Sequence, residues 1–192
     1  MTPAASLAAL GLPAALTDAW VAQLSEPRRA YHTLAHIEWM LADVPAGYEA
    51  CRELIAAIWL HDIVYDPTRG DNEERSAEQA RRDLAGSGIA ADSVAALILG
   101  TAHHRAGDAL QNVLNDLDLM ILGGSEAEYA AYAEAIRREY AHVPDAAYRA
   151  GRPAVLRRFL ERERIYQGAG LVAREEAARR NLLREIAALE RS

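Results

Sequence analysis

The chain has 192 residues, 51 % of them hydrophobic, and a formal net charge of −7. That length fits one domain with a closed core, and the negative balance argues against a general nucleic-acid or anionic-membrane binder. A single cysteine excludes a disulfide framework, and no apolar run approaches the ~20 residues that span a bilayer.

The N-terminus lacks the charged start and compact apolar core of a secretion signal, so a reducing cytoplasm is the expected setting. Alanine and leucine dominate the apolar content, while β-branched and aromatic runs are scarce, so helices are expected throughout and no strand. Residues 1–12 are alanine-rich and broken by Pro3 and Gly11, which reads as a loose helix or arm. Pro13 opens a helix to Leu24 with Leu16, Trp20 and Leu24 on one face. Ser25-Glu26-Pro27 breaks it. The next helix carries Arg28 to Ile37 and continues through Trp39, Met40 and Leu41 until Pro45. Within it, His32 and His36 are four apart and share a helical face, the spacing of a metal pair. Cys51, beside Leu54 and Ile55, reads as a small core residue.

Leu54-Ile55-Ala56-Ala57-Ile58-Trp59-Leu60 is apolar on every side, so a helix here is buried all round. It ends in His61-Asp62 and continues briefly through Ile63, Val64 and Tyr65. An imidazole and a carboxylate at the end of a buried helix are costly unless something pairs with them, and a metal ion is a natural partner. Asp66 to Gly70 reads as a loop. Asp71 and Glu74 read as an N-cap and its capping-box partner, opening a helix that runs to about Leu84. Gly86 and Gly88 end it, and Asp92 or Ser93 starts another, carrying Val94, Leu97 and Ile98 toward Thr101, His103 and His104.

A helix from Asp108 to Leu122 bears the stripe Leu110, Leu114, Leu117, Ile121, flanked by Asp116 and Asp118. After Gly123-Gly124, Ser125 and Glu128 form a second capping box. The helix they open shows Tyr129, Tyr132, Ile136 and Tyr140 on one face. Tyr148 to Leu160 is helical in pattern, with a kink or new start near Arg152 because of Gly151 and Pro153. The last helix, about Ala173 to Leu189, turns Ala178, Leu182, Leu183, Ile186 and Leu189 inward. His142 is expected on the surface.

Three separate helices thus supply His36, His61-Asp62 and an aspartate of Asp116-Leu117-Asp118. Two imidazoles and two carboxylates make a nitrogen–oxygen site suited to Mn²⁺, Fe²⁺, Zn²⁺ or Co²⁺, with positions left for water and substrate. Helical phase does not choose between Asp116 and Asp118.

These residues, in this order, resemble the HD superfamily of metal-dependent phosphohydrolases, whose signature is His … His-Asp … Asp on an all-helical core. The likeness is greatest to a branch of small predicted phosphohydrolases. It is carried by Tyr31-His32-Thr33-Leu34-Ala35-His36-Ile37, by Trp59 to Asp66, by Asp71 to Ala77 and by Asp116 to Gly123. It covers the chain from about Pro27 through the helix containing Ala178 to Leu182. The resemblance implies a single all-α HD-type bundle over residues 1–192, with a core of about 27–122 and C-terminal helices 125–192 packed on it. It implies one divalent metal (Mn, Fe, Zn, Co, Ni or Mg) held by His36, His61, Asp62 and Asp118, with Asp116 in support.

A more distant likeness is to HD hydrolases that remove pyrophosphate from guanosine alarmones and carry Glu-Asp shortly after His-Asp. Here Tyr65-Asp66 stands at that place, so the aspartate matches and the glutamate is absent. The implied reaction is hydrolysis of a small phosphorylated metabolite or nucleotide by metal-activated water. Asp66, with Glu73 or Glu74, is the expected acid–base group. Arg29, Tyr31, His32 and His104 are the candidates for substrate binding. No nucleic-acid or membrane partner is expected, and a homodimer is left open. Two rival readings are a di-iron HD-type oxygenase using His103-His104, and a non-enzymatic module that binds a nucleotide or partner in the same pocket.

Overall fold

The computed structural model describes residues 1–191, so the last residue of the expected 1–192 domain lies outside it. Among the described residues there are ten α-helices, two 3₁₀ turns and no strand, as the all-α expectation requires. None of these helices is long and apolar enough to cross a membrane. The chain divides into two compact units, residues 1–117 and 118–192, and the division falls within one continuous helix.

The first unit contains α1 (Pro3–Leu10), α2 (Ala14–Leu24), α3 (Leu34–Ala42), α4 (Arg52–Leu60), α5 (Asn72–Asp83), α6 (Ala91–Thr101) and most of α7 (Ala109–Leu119). Its centre is α4. Every residue from Leu54 to Leu60 is buried, against α1, α3, α5 and α6. Burial of each large side chain there contributes about 1.5–3 kcal/mol, which is why an apolar run without a polar face is stable as a helix.

The N-terminal segment is a regular helix rather than a loose arm. Thr2 accepts a hydrogen bond from the Ala5 amide at 3.2 Å, Pro3 occupies the first turn, and Gly11 closes the helix at φ +63°. Buried Trp59 donates to buried Ser6 Oγ at 2.9 Å, and the Arg52 guanidinium donates to the Leu10 carbonyl. These contacts hold α1 against α4, and no sequence pattern announces them. In α2, Thr17 takes an inward position with Trp20 and Leu24, whereas Leu16 is only half-buried. Cys51 is half-buried at the N-cap of α4 rather than in the core.

Two other expectations fail for local reasons. Asp71 stands at the N-cap of α5 but forms no capping bond, because Arg69 grips its carboxylate at 2.7 and 2.5 Å. That guanidinium also holds Asp71 below the usual carboxylate range. Helix α6 begins at Ala91, and Asp92 accepts from Arg81 at 2.8 Å instead of capping.

The second unit holds the end of α7, a 3₁₀ turn (Met120–Gly123), α8 (Glu126–Glu139), α9 (Asp145–Leu160), a 3₁₀ turn (Ala169–Arg174) and α10 (Glu175–Arg191). The Ser125–Glu128 capping box forms, with bonds of 2.7 and 3.3 Å. Helix α9 runs unbroken past Gly151 and Pro153. Contacts with α10 bracket the proline: Arg152 meets Glu185 at 2.9 Å before it, and Arg157 meets Glu190 after it. This anchoring offsets the bond that a helix-interior proline removes.

On α10, Ala178, Leu182 and Ile186 are buried, but Leu183 is 56 % exposed and Leu189 only half-buried. A 100° step separates Leu182 from Leu183, so both cannot face the same core. Asn181 takes the neighbouring inward position, and its amide donates to the Leu122 and Gly124 carbonyls at 2.9 Å each.

Candidate metal centre

The site begins where α4 stops. His61 is 1 % exposed and its own amide still donates to the Ala57 carbonyl at 2.9 Å, so the ring is presented from the last helical turn. Its Nδ1 donates to the Ile58 carbonyl at 3.0 Å. A carbonyl can only accept, so the proton sits on Nδ1 and Nε2 is the atom available as a lone-pair donor. Metal-binding histidines commonly have their other ring nitrogen fixed in this way. Asp62 Oδ2 lies 3.0 Å from that Nε2.

His36, buried on α3, faces His61 edge to face with ring centroids 5.4 Å apart. Asp118, half-buried, lies one residue past the division of the chain, on the helix α7 that the first unit begins. His36, His61 and Asp118 each offer a ligand atom, and these atoms all lie within 4.8 Å of one another. Of the two aspartates on α7, it is Asp118 whose carboxylate joins the histidines, while Asp116 is 4 % exposed. Two imidazoles and a carboxylate from three helices fit a divalent first-row ion chemically.

His32 lies outside α3, which starts at Leu34 after an extended Thr33. It therefore does not share a helical face with His36. The His32 ring instead stacks on Tyr65, with centroids 4.1 Å apart and planes 27° from parallel. Its Nε2 is 4.0 Å from Asp62 Oδ2. Tyr31 lies beside both histidines, its ring centroid 5.0 Å from that of His32 and 4.9 Å from that of His36.

Arg29, expected at substrate, has a side chain with no exposure, and its guanidinium serves the backbone. Nη1 donates to the His32 and Asp62 carbonyls at 2.9 and 2.8 Å, and Nη2 to the Ile63 carbonyl at 2.8 Å. The turn after α4 is also held by buried Ser76, whose Oγ accepts from the Val64 amide at 3.1 Å.

The expected acid–base residues have other surroundings. Asp66 Oδ1 accepts from the Thr68 amide at 2.9 Å and from the Thr68 hydroxyl at 2.7 Å, and these bonds hold its carboxyl below the usual range. Asn72 closes the same loop, accepting from the Asp66 amide at 3.0 Å and donating to its carbonyl at 2.9 Å. Asp66 is thus a turn-forming residue. Glu73 is half-buried and Glu74 exposed in the first turn of α5, where acidic residues favour the helix dipole. Helix α6 ends at Thr101, so His103 and His104 lie in the following turn, His103 exposed and His104 half-buried with φ +44°.

Compared with protein-family models, with curated proteins and with solved structures, the chain matches none.

Proposed function

We propose that this chain is an HD-type, divalent-metal-dependent phosphohydrolase acting on a small phosphorylated metabolite or nucleotide. The observation that carries the reading is that His36, His61 and Asp118, from three separate stretches of chain, offer ligand atoms all within 4.8 Å of one another. Asp62, the expected fourth donor, stands outside that group of three but lies against His61. Its Oδ2 is 3.0 Å from His61 Nε2, and adjacent ligand atoms bonded at about 2.1 Å at right angles are about 3.0 Å apart. A divalent ion, when bound, supplies Lewis acidity toward a phosphoryl oxygen and makes water acidic enough to react near neutral pH.

The chain's own residues supply the rest. His61 is fixed in the tautomer that offers Nε2. His32, held by its stack on Tyr65, presents Nε2 beside Asp62 and is placed to donate to a phosphoryl oxygen. Tyr31 lies against both His32 and His36. Asp66 gives Oδ1 to Thr68, and no proton transfer is assigned to it. Among the described residues the ligand group contains neither His103 nor His104, which leaves the oxygenase reading without a supporting observation. A cytoplasmic setting with Cys51 reduced belongs to the same reading.

The test is a screen of phosphorylated metabolites and nucleotides for phosphate or pyrophosphate release with Mn²⁺, Fe²⁺, Co²⁺, Ni²⁺, Zn²⁺ or Mg²⁺. The reading expects turnover that His61→Ala and Asp118→Asn abolish. Nucleotide binding without turnover under any metal would favour a binding module instead.

A further inference from the structure

The buried guanidinium of Arg29 joins two pieces of chain that sequence places far apart. The 28–33 segment has no regular structure, yet it carries Tyr31 and His32. Residues 61–66 form the turn that carries His61 and Asp62. Neither segment can fix the other through helical hydrogen bonds. Arg29 does so with one planar fork, donating to the His32 carbonyl on one side and to the Asp62 and Ile63 carbonyls on the other. The same guanidinium lies 5.8 Å from the centroid of the Tyr65 ring, on which His32 stacks. Glu26 Oε2 lies 3.7 Å from Nε and accepts from Arg28 at 2.8 Å.

We propose that Arg29 is a positioning residue. It sets the register between the His32 segment and the His61-Asp62 turn, and so fixes where the His32 ring and the Asp62 carboxylate stand relative to each other. Arginine is suited to this and lysine is not. A rigid, delocalised fork holds Nη1 to both segments and Nη2 to the second in one fixed plane, whereas an ammonium is a single point on a flexible stem. The proposal goes beyond the phosphohydrolase reading and rests on it only where metal affinity is the readout.

The first experiment uses the metal-free protein. In its NMR spectrum the ring protons of His32, assigned with His32→Gln, should be shifted upfield by the stacked Tyr65 ring. Arg29→Lys should remove that shift while leaving the His142 ring signals of the second unit in place. An unchanged His32 shift in folded Arg29→Lys overturns the proposal.

The second experiment titrates Mn²⁺ at a temperature where every variant is folded. Arg29→Lys should weaken binding by about 10–100-fold, the usual effect of losing a group that orients a ligand. Arg152→Met, which disturbs only the second unit, should not. Equal weakening in both variants would reduce Arg29 to general stability and overturn the proposal. Wild-type protein that takes up no Mn²⁺ would sink the metal reading, and the NMR result would then decide on Arg29 alone.

Should Arg29→Lys not fold, hydrogen exchange of the wild-type protein decides. The Arg29 and Ile63 amides, bonded to the Glu26 and Leu60 carbonyls, should exchange through one shared opening. Protection factors that differ by more than about tenfold would show two segments opening independently, against the proposal.

Discussion

His61 Nδ1 and the Ile58 carbonyl oxygen are 3.0 Å apart, within the last turn of the buried helix that delivers the histidine. The bond uses a carbonyl that the end of α4 would otherwise leave without a partner, and it orients the ring. Nitrogen NMR of the metal-free protein should therefore find neutral His61 as the Nδ1–H tautomer. A proton on Nε2 in the neutral form would contradict the assignment of Nε2 as a ligand atom.

Asp66 separates a turn residue from a catalytic base. Its folded-state pKa is lowered, first by the Thr68 hydroxyl and then by the Thr68 amide. A lowered carboxyl contributes stability above its unfolded value, near 3.9, and loses it as pH falls through the folded value. Wild type should melt above Asp66→Asn at pH 7, and the gap should begin to narrow near about pH 4 and close as the pH falls through the lowered folded-state value. Metal uptake should be unchanged, and turnover per folded molecule retained once a substrate is found. A folded, metal-loaded Asp66→Asn protein slowed by about 10²–10⁴ would instead restore Asp66 as the base.

In the second unit, Arg152 and Glu185 form an ion pair with side chains only 11 % and 9 % exposed. Tyr129 donates to the same carboxylate at 2.5 Å, and Arg152 donates to the Tyr132 hydroxyl at 3.2 Å. Burial, then the Glu185 charge, pushes the Tyr129 hydroxyl far above its ordinary pKa, so it stays a donor. Arg152→Met leaves the Glu185 carboxylate buried without its cation and should cost about 3–5 kcal/mol in urea unfolding. A cost under about 1 kcal/mol would mean that water compensates the pair as it does at a surface.

Asn181 and Leu183 test the phase of α10. Asn181→Leu orphans the Leu122 and Gly124 carbonyls and should cost about 1–3 kcal/mol for each. Leu183→Glu, on the exposed side, should stay within about 0.5 kcal/mol of wild type. Reversed sizes of the two effects would show that the helix is rotated.

The sequence was most legible where one local force decides the outcome. The apolar run 54–60 had to be a buried helix, and the Ser125–Glu128 pair had to cap one, because in each case no neighbour competes. It was misleading where a second local partner intervened, as when Arg69 takes Asp71 and Arg81 takes Asp92. It was silent where the deciding contact is distant in the chain. Arg29 precedes a histidine-rich segment and looks available to phosphate, yet the carbonyls it serves include two more than thirty residues ahead. Helical period alone left Asp116 and Asp118 equivalent, and only the three-dimensional position of α7 separates them.

Mn²⁺ titration by calorimetry on wild type, His36→Ala, His61→Ala, Asp118→Asn and Asp116→Asn tests the central claim most directly. The account predicts one ion per chain in wild type. It predicts affinity lowered on the order of 10²-fold or more in the first three variants, and by no more than about 10–100-fold in Asp116→Asn, which removes a neighbour and not a ligand. Wild-type affinity in His61→Ala or Asp118→Asn, with the protein folded, would contradict it.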